Sequence, residues 1–139
     1  MKAILRTTRV LLSISLAGCA GMAGVLGAHV NAYPGKERPI EEVSVLLPVG
    51  SAQLAKVEGR HVGDNTLGFP SDVRLLPGER QITIDCMYGA YGHYQVKPVL
   101  FTGRFEAGHF YNIECQDQGD GQYAGDMKDL GTQDPRKKG

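Results

Sequence analysis

Short runs of alternating apolar and polar residues, each cut off by glycine or proline, dominate the chain from Glu41 onward. The strongest lies within residues 80–88, where Ile82, Ile84, Cys86 and Tyr88 share one face and Gln81, Thr83 and Asp85 the other. A period of two is the mark of a half-buried strand. Residues 100–106 repeat it, with Phe101 and Phe105 opposite Thr102, Arg104 and Glu106. Ala107-Gly108 then turns the chain into residues 109–116, where Tyr111, Ile113 and Cys115 alternate with Phe110, Asn112 and Glu114. Earlier, Val43, Val45 and Leu47 alternate with Ser44 and Leu46 until Pro48 and Gly50 break the run. Residues 54–62 read as a second strand with a turn or bulge at Gly59. Gly63-Asp64-Asn65 reads as a loop, residues 73–76 as a short strand and Pro77-Gly78 as a tight turn. Strands about ten residues apart, with no sustained helical period and no internal repeat, predict an all-β fold. The expected architecture is a single antiparallel β-sandwich of the Ig-like or transthyretin-like kind over residues 40–132, followed by a disordered tail at 133–139.

The N-terminal pattern is different. Residues 1–9 carry Lys2, Arg6 and Arg9 and no acid; an apolar stretch from Val10 to Ser15 follows, then Leu16-Ala17-Gly18-Cys19. A basic start, a short apolar run and small residues at a processing point form an export signal. Leu-Ala-Gly-Cys resembles the lipobox of bacterial lipoproteins. That resemblance implies a signal peptide over 1–18, a Cys19 that carries palmitate-type acyl chains and becomes the mature N-terminus, and a tether over 19–39. Acyl chains contribute about 0.8 kcal/mol per buried methylene, so three of them hold a protein stably at a bilayer. Ala20 stands where such proteins often carry an inner-membrane retention aspartate, so the resemblance implies outer-membrane delivery with the domain facing the periplasm or the surface. Two other readings stand beside it. The uncharged residues 10–28 are about long enough for a marginal membrane helix, although four glycines weaken one there. Val30-Asn31-Ala32 also satisfies the rule for ordinary signal cleavage after Ala32.

Charge then narrows the function. Fifteen basic and fifteen acidic residues balance over 139 positions, but without residues 1–18 the chain carries a net charge of −3. A mildly acidic chain is poorly suited to capturing nucleic acid. The length argues for one core, so a multidomain enzyme or a polytopic membrane protein is excluded.

Three cysteines remain to be placed. Cys86 and Cys115 lie on the inward phase of strong strands, and export would put them in an oxidising compartment. With Cys19 acylated, two thiols are left to pair, and closing a loop of about 30 residues stabilises a fold by roughly 3–4 kcal/mol in the chain-entropy model. Two buried free thiols are the alternative. Neither cysteine has the exposed, base-flanked setting of a nucleophile. His61, His93 and His109 show no ligand spacing, and no Cys-x-x-Cys occurs, so no metal site or cofactor is expected. Asp117-Gln118-Gly119-Asp120-Gly121 lacks the order of a calcium loop and reads as a solvated acidic turn. No Gly-x-Ser-x-Gly is present. The remaining feature is aromatic: Tyr88, Tyr91, His93 and Tyr94 sit in a Met-Tyr-Gly-Ala-Tyr-Gly-His-Tyr stretch read as a loop. Exposed tyrosines suit contact with a protein or a glycan; the alternative is that these rings cap one end of the core.

Several spaced segments together resemble a group of small bacterial lipoproteins of unassigned function. They are the lipobox at 16–19, Tyr33-Pro34-Gly35 with Arg38-Pro39 and Glu42-Val43, Leu75-Leu76-Pro77-Gly78, Phe105-x-Ala107-Gly108-His109-x-Tyr111 and Asp129-Leu130-Gly131-Thr132. The strand and Ala-Gly hairpin also look like PEGA-type and transthyretin-like modules. The group carries a tryptophan-bearing strand before its last segment; this chain has no tryptophan, which implies a short or absent final strand. No catalytic residue comes with the resemblance. The expected function is a non-enzymatic, membrane-anchored interaction module with an envelope protein as partner; the alternative is a periplasmic carbohydrate- or peptidoglycan-binding domain in which Tyr91 and Tyr94 stack on sugar faces.

Overall fold

The computed structural model describes residues 29–62 and 70–137. The export signal, Cys19, the stretch up to residue 28, the loop at 63–65 and the last two residues lie outside the described residues. Nine strands are present among the described residues: β1 (His29–Asn31), β2 (Ser44–Pro48), β3 (Ala52–Val57), β4 (Arg60–His61), β5 (Asp72–Leu75), β6 (Gly78–Ala90), β7 (His93–Phe105), β8 (Phe110–Gly119) and β9 (Gln122–Asp129). They form a five-stranded sheet ordered β1-β5-β2-β8-β9 and a four-stranded sheet ordered β4-β3-β6-β7. No α-helix occurs among them. The fold is all-β, in two sheets that share a core.

The alternation read in the sequence builds that core. Ile82, Ile84 and Cys86 of β6 have no exposed surface, and Leu54, Val57, Leu75, Phe105, Tyr111 and Ile113 join them from both sheets. The Phe105 and Tyr111 rings meet edge to face at 5.1 Å, the geometry that ring quadrupoles prefer. The β2 strand is buried on both faces. Its Leu46 enters the shared core, whereas Val45 and Leu47 form a second cluster with Phe110, flanked by Ile40 and Leu130. A central strand covered on both sides needs an unbroken apolar run, and residues 43–47 supply one with a single polar member. That member, Ser44, donates its hydroxyl hydrogen to the Glu106 carbonyl at 2.7 Å.

Two glycines set how closely the sheets approach. A Cβ on Gly103 would lie 2.8 Å from Phe105 Cζ and 3.0 Å from Met127 Sδ, and one on Gly125 would overlap the Phe101 ring. The open edges of the two sheets, β7 and β9, are therefore drawn together around Phe101 and Met127.

Four expectations are corrected. The arrangement is not purely antiparallel: β1 runs parallel to β5, and β2 runs parallel to β8, because β2 leaves for the other sheet and its second neighbour arrives much later in the chain. Residues 29–31, read as tether, are a strand, fixed further by the Ala32 N–H bond to the Arg74 carbonyl at 2.7 Å. The final strand is neither short nor absent, since β9 pairs with β8 along its length. The residues after 132 are held, not disordered up to 137. Arg136 Nη1 lies 2.6 Å from Asp72, a carboxylate that is almost fully buried, and its Nε and Nη2 each lie 2.9 Å from Asp134. Those hydrogen bonds from Arg136 hold the Asp134 carboxyl below its ordinary pKa against the opposing effect of burial.

Candidate functional site

The β6 and β7 strands form one long hairpin. Their register runs without a slip from Gly78 opposite Phe105 to Ala90 opposite His93, leaving only Tyr91-Gly92 as the turn. The stretch 88–94, expected to be a loop, is therefore strand, turn and strand. Gly92 has φ +84°, a left-handed value that side chains disfavour. Gly89, at φ +129°, has no room for a Cβ, which would strike the His93 carbonyl. The glycines that suggest a loop in the sequence in fact let the two strands close on a two-residue turn.

The pleat sorts the side chains of this hairpin. Positions facing the core include Ile82, Ile84 and Cys86, with Phe101 opposite Ile82 and Lys97 opposite Cys86. Tyr94, Val96, Pro98 and Leu100 point the other way, with Met87 beside Val96 and Asp85 beside Pro98. Tyr94 is 60% exposed, Val96 54%, Leu100 60%, and Tyr91 at the turn 98%. These are all of the exposed large hydrophobic side chains among the described residues. From Tyr94 to Leu100 the stripe is about 20 Å long, at about 3.3 Å per residue.

The β7 strand is also the outer strand of its sheet. Long open edges recruit other strands unless they are blunted. Here Pro98 lacks an N–H, and Lys97 points inward and donates from Nζ to the Gly121 carbonyl at 2.7 Å. The backbone edge of the strand is thus blunted, while its outer face is exposed.

The four predicted aromatic positions separate. Tyr91 and Tyr94 are exposed. Tyr88 turns inward, its ring 5.3 Å from that of Tyr123 and its hydroxyl donating to Gln95 Oε1 at 2.6 Å, so it caps the core. His93 is exposed but lies on the inward phase of β7, opposite Ala90. Val96, Pro98 and Leu100 were not anticipated as part of the site. Their signal was the alternation continuing from Tyr94, obscured by a proline in mid-strand. Cys86 and Cys115 form a disulfide, with Cα atoms 5.7 Å apart, that ties β6 to β8. It stands at the base of the two hairpin tips, β6–β7 and β8–β9.

Other polar clusters are committed to holding the fold. At the opposite pole, His109 Nδ1 lies 2.9 Å from Asp129 and Nε2 3.4 Å from Glu106. The Tyr111 hydroxyl accepts from the Glu106 N–H at 2.8 Å, and burial raises the Tyr111 pKa. Burial works against ionising Asp129, yet hydrogen bonds from the Gly131 N–H and from His109 leave its pKa below the ordinary value. The Ser44 hydroxyl is bonded to the Glu106 carbonyl, so the arrangement clasps the turn before β8 to the end of β9. A cavity of about 470 Å³ opens between β1 and β4, lined by Val30, Val57, Leu75, Arg60 and Arg80 among others. Arg80 is engaged by the Leu76 and Pro77 carbonyls at 3.0 and 2.8 Å. Among the described residues no three His, Cys, Asp or Glu side chains are grouped to hold a metal ion.

No protein-family model, curated protein or solved structure matches this chain. Its functional reading therefore stands on its own residues.

Proposed function

We propose that this chain is a lipid-anchored module of the bacterial envelope, acylated at Cys19 and delivered to the outer membrane, that acts by contact and not by catalysis. Its domain is read as a single sandwich of the Ig-like or transthyretin-like kind. The contact surface is the outer face and turn of the β6–β7 hairpin. The observation that carries this reading is that Tyr91, Tyr94, Val96 and Leu100, the exposed large apolar side chains among the described residues, are gathered on one hairpin and not scattered singly as on an ordinary surface.

The test has two readouts. Protein extracted from membranes should have a mass beginning at Cys19 plus three acyl chains, gaining two hydrogens on reduction. A mass beginning at Tyr33 without lipid would overturn the anchor. A photo-crosslinking residue placed at Tyr94 should form an adduct with an envelope component in cells. Val96→Glu with Leu100→Glu should abolish that adduct while the disulfide and the thermal midpoint stay unchanged. If no adduct forms, or if it survives the two glutamates, the hairpin is not the contact surface.

A glycan-binding reading is supported by the exposure of both Tyr91 and Tyr94. It predicts capture by cell-wall sacculi that is lost in Tyr91→Ala with Tyr94→Ala. The company these rings keep favours the first reading, because Val96, Pro98 and Leu100 offer a sugar no hydrogen bonds.

A further inference from the structure

We infer that the envelope component met by the β6–β7 turn is the phospholipid leaflet itself. This rests on the acylation of Cys19 proposed above. Three observations carry it.

The first is charge. Between Asp85 and Lys97 the hairpin holds no Asp, Glu, Lys or Arg. Cys86 and Lys97 are opposite one another, so four residue pairs and the two-residue turn, about 15 Å of height, rise above the nearest charge on this hairpin's own strands. The headgroup layer of one leaflet is about 5–8 Å deep. Tyr91 and Tyr94 can enter that layer while Asp85 stays in water, and Asp117 and Asp120 of the β8–β9 tip, whose Tyr123 packs on Tyr88, stand beside them at the headgroups. Tyrosine, the residue at the apex of the turn, is enriched at this boundary.

The second is where the chain enters. The β1 strand runs parallel to β5, β5 antiparallel to β2, and β2 leads by a short turn to β3. Ser51 in that turn accepts the Met87 N–H at 3.0 Å, so His29 opens its strand toward the pole where the β6–β7 turn stands. His29 pairs with Asp72, which lies about level with Asn112, three residues below Cys115. The turn lies some eight residues above that level, or about 26 Å. Cys19 precedes His29 by ten residues, a leash of at most about 33–36 Å. A lipid on Cys19 and the Tyr91 turn can therefore occupy one leaflet together.

The third is area. The whole stripe from Tyr94 to Leu100 is about 20 Å by 10 Å, or about 200 Å², against about 800 Å² per partner in a stable protein interface, and only its Tyr94 and Val96, with Tyr91, lie above Lys97. A second copy of the chain is too large an occupant for so small a patch, whereas a bilayer needs only a few side chains from a protein that is already tethered. Asp117 and Asp120 lie in the neighbouring β8–β9 tip, so neutral headgroups are favoured over anionic ones.

The chain contains no tryptophan, so a single introduced one reports its own surroundings. Acylated full chain carrying Tyr91→Trp is reconstituted in phosphatidylcholine vesicles with brominated acyl chains. Its emission should shift to the blue and lose most of its intensity. Arg104→Trp, at the far end of β7, should do neither. Replacing half of the phosphatidylcholine with phosphatidylglycerol should reduce the quenching. Acylated protein that binds vesicles with Tyr91→Trp unquenched would overturn the leaflet contact and leave the anchor standing. Protein whose mass lacks acyl chains would overturn both. Shielding of the reporter in native envelopes but not in lipid vesicles would assign the turn to a protein partner and overturn the inference.

Discussion

Gly125 sets two effects of opposite sign against each other. It lies in mid-strand, opposite Cys115 in the β8–β9 register, and its backbone is not in the left-handed region. By conformational entropy alone, Gly125→Ala should stabilise the fold by about 0.5–1 kcal/mol. Packing says otherwise. The new Cβ would overlap the Phe101 ring, lying 2.7 Å from Cε1 and 3.0 Å from Cγ and nearer still to Cδ1, where carbon atoms rest at about 3.5–4.0 Å. The ring must retreat by roughly 1 Å, and overpacking of this kind costs about 1–3 kcal/mol. Phe101 is only half-buried and belongs to an edge strand, so it can give way in part. The net expectation is a loss of about 1–2 kcal/mol, read as a lower urea midpoint at unchanged slope. The decisive arm is the background Phe101→Leu. There Gly125→Ala should cost little or become favourable, giving a coupling energy of about 1 kcal/mol or more between the two sites. A stabilised Gly125→Ala, or the same loss in both backgrounds, would refute the claim that this glycine sets the spacing of the sheets.

Three further outcomes are expected. Cys86→Ala with Cys115→Ala should lower stability by about 3–4 kcal/mol for a loop of this size, measured by urea unfolding, and hydrogen exchange should show the added opening concentrated around Tyr88 and Tyr123. Arg136→Ala should cost about 3 kcal/mol, the low end for stranding a buried charge, because the carboxylate of Asp72 is 3% exposed; Asp72→Asn in the same background should recover part of that loss. Asp129 titrates below the ordinary carboxylate value, so its contribution is complete above about pH 4 and is lost as pH falls through its folded pKa. Urea midpoints between pH 6 and pH 2 should therefore fall less steeply in Asp129→Asn than in the parent, and equal slopes would show that the His109 clasp carries no stability.

The sequence made the core strands plain wherever one face is buried and the other wet. Ile82, Ile84 and Cys86 are the clearest case, and Tyr111 and Ile113 the next. It was less clear where burial is two-sided, as in β2, because an unbroken apolar run carries no phase. The absence of a tryptophan, which the resemblance places in the last strand, pointed away from β9, and its own pattern did little to restore it. The β9 strand alternates Tyr123, Gly125 and Met127, but Gly125 is there to admit Phe101 and adds nothing to an apolar pattern. The ends of the fold were hidden for another reason. The β1 strand is three residues beside a partner more than forty positions away, and Arg136 reaches back to Asp72, so neither leaves a local trace. The candidate site was half legible. Tyr91 and Tyr94 stood out as aromatic, but that Tyr88 turns inward, and that Val96 and Leu100 turn out, depends on the hairpin register. That register is set by where the two-residue turn falls.

The parallel pairing of β2 with β8 and the grip of Arg136 on Asp72 also bear on when the molecule can fold. The central strand of the larger sheet is made early, but one of its two neighbours is synthesised some sixty residues later, and the counter-ion of Asp72 follows it by 64 residues. Loop closure over such separations slows folding, because chain entropy is lost before contacts repay it. The smaller sheet, by contrast, pairs strands that lie within residues 52–105, so the two halves of the core differ in how early they can form. The larger sheet is therefore expected to close last, once β8 has joined β2 and Arg136 has reached Asp72.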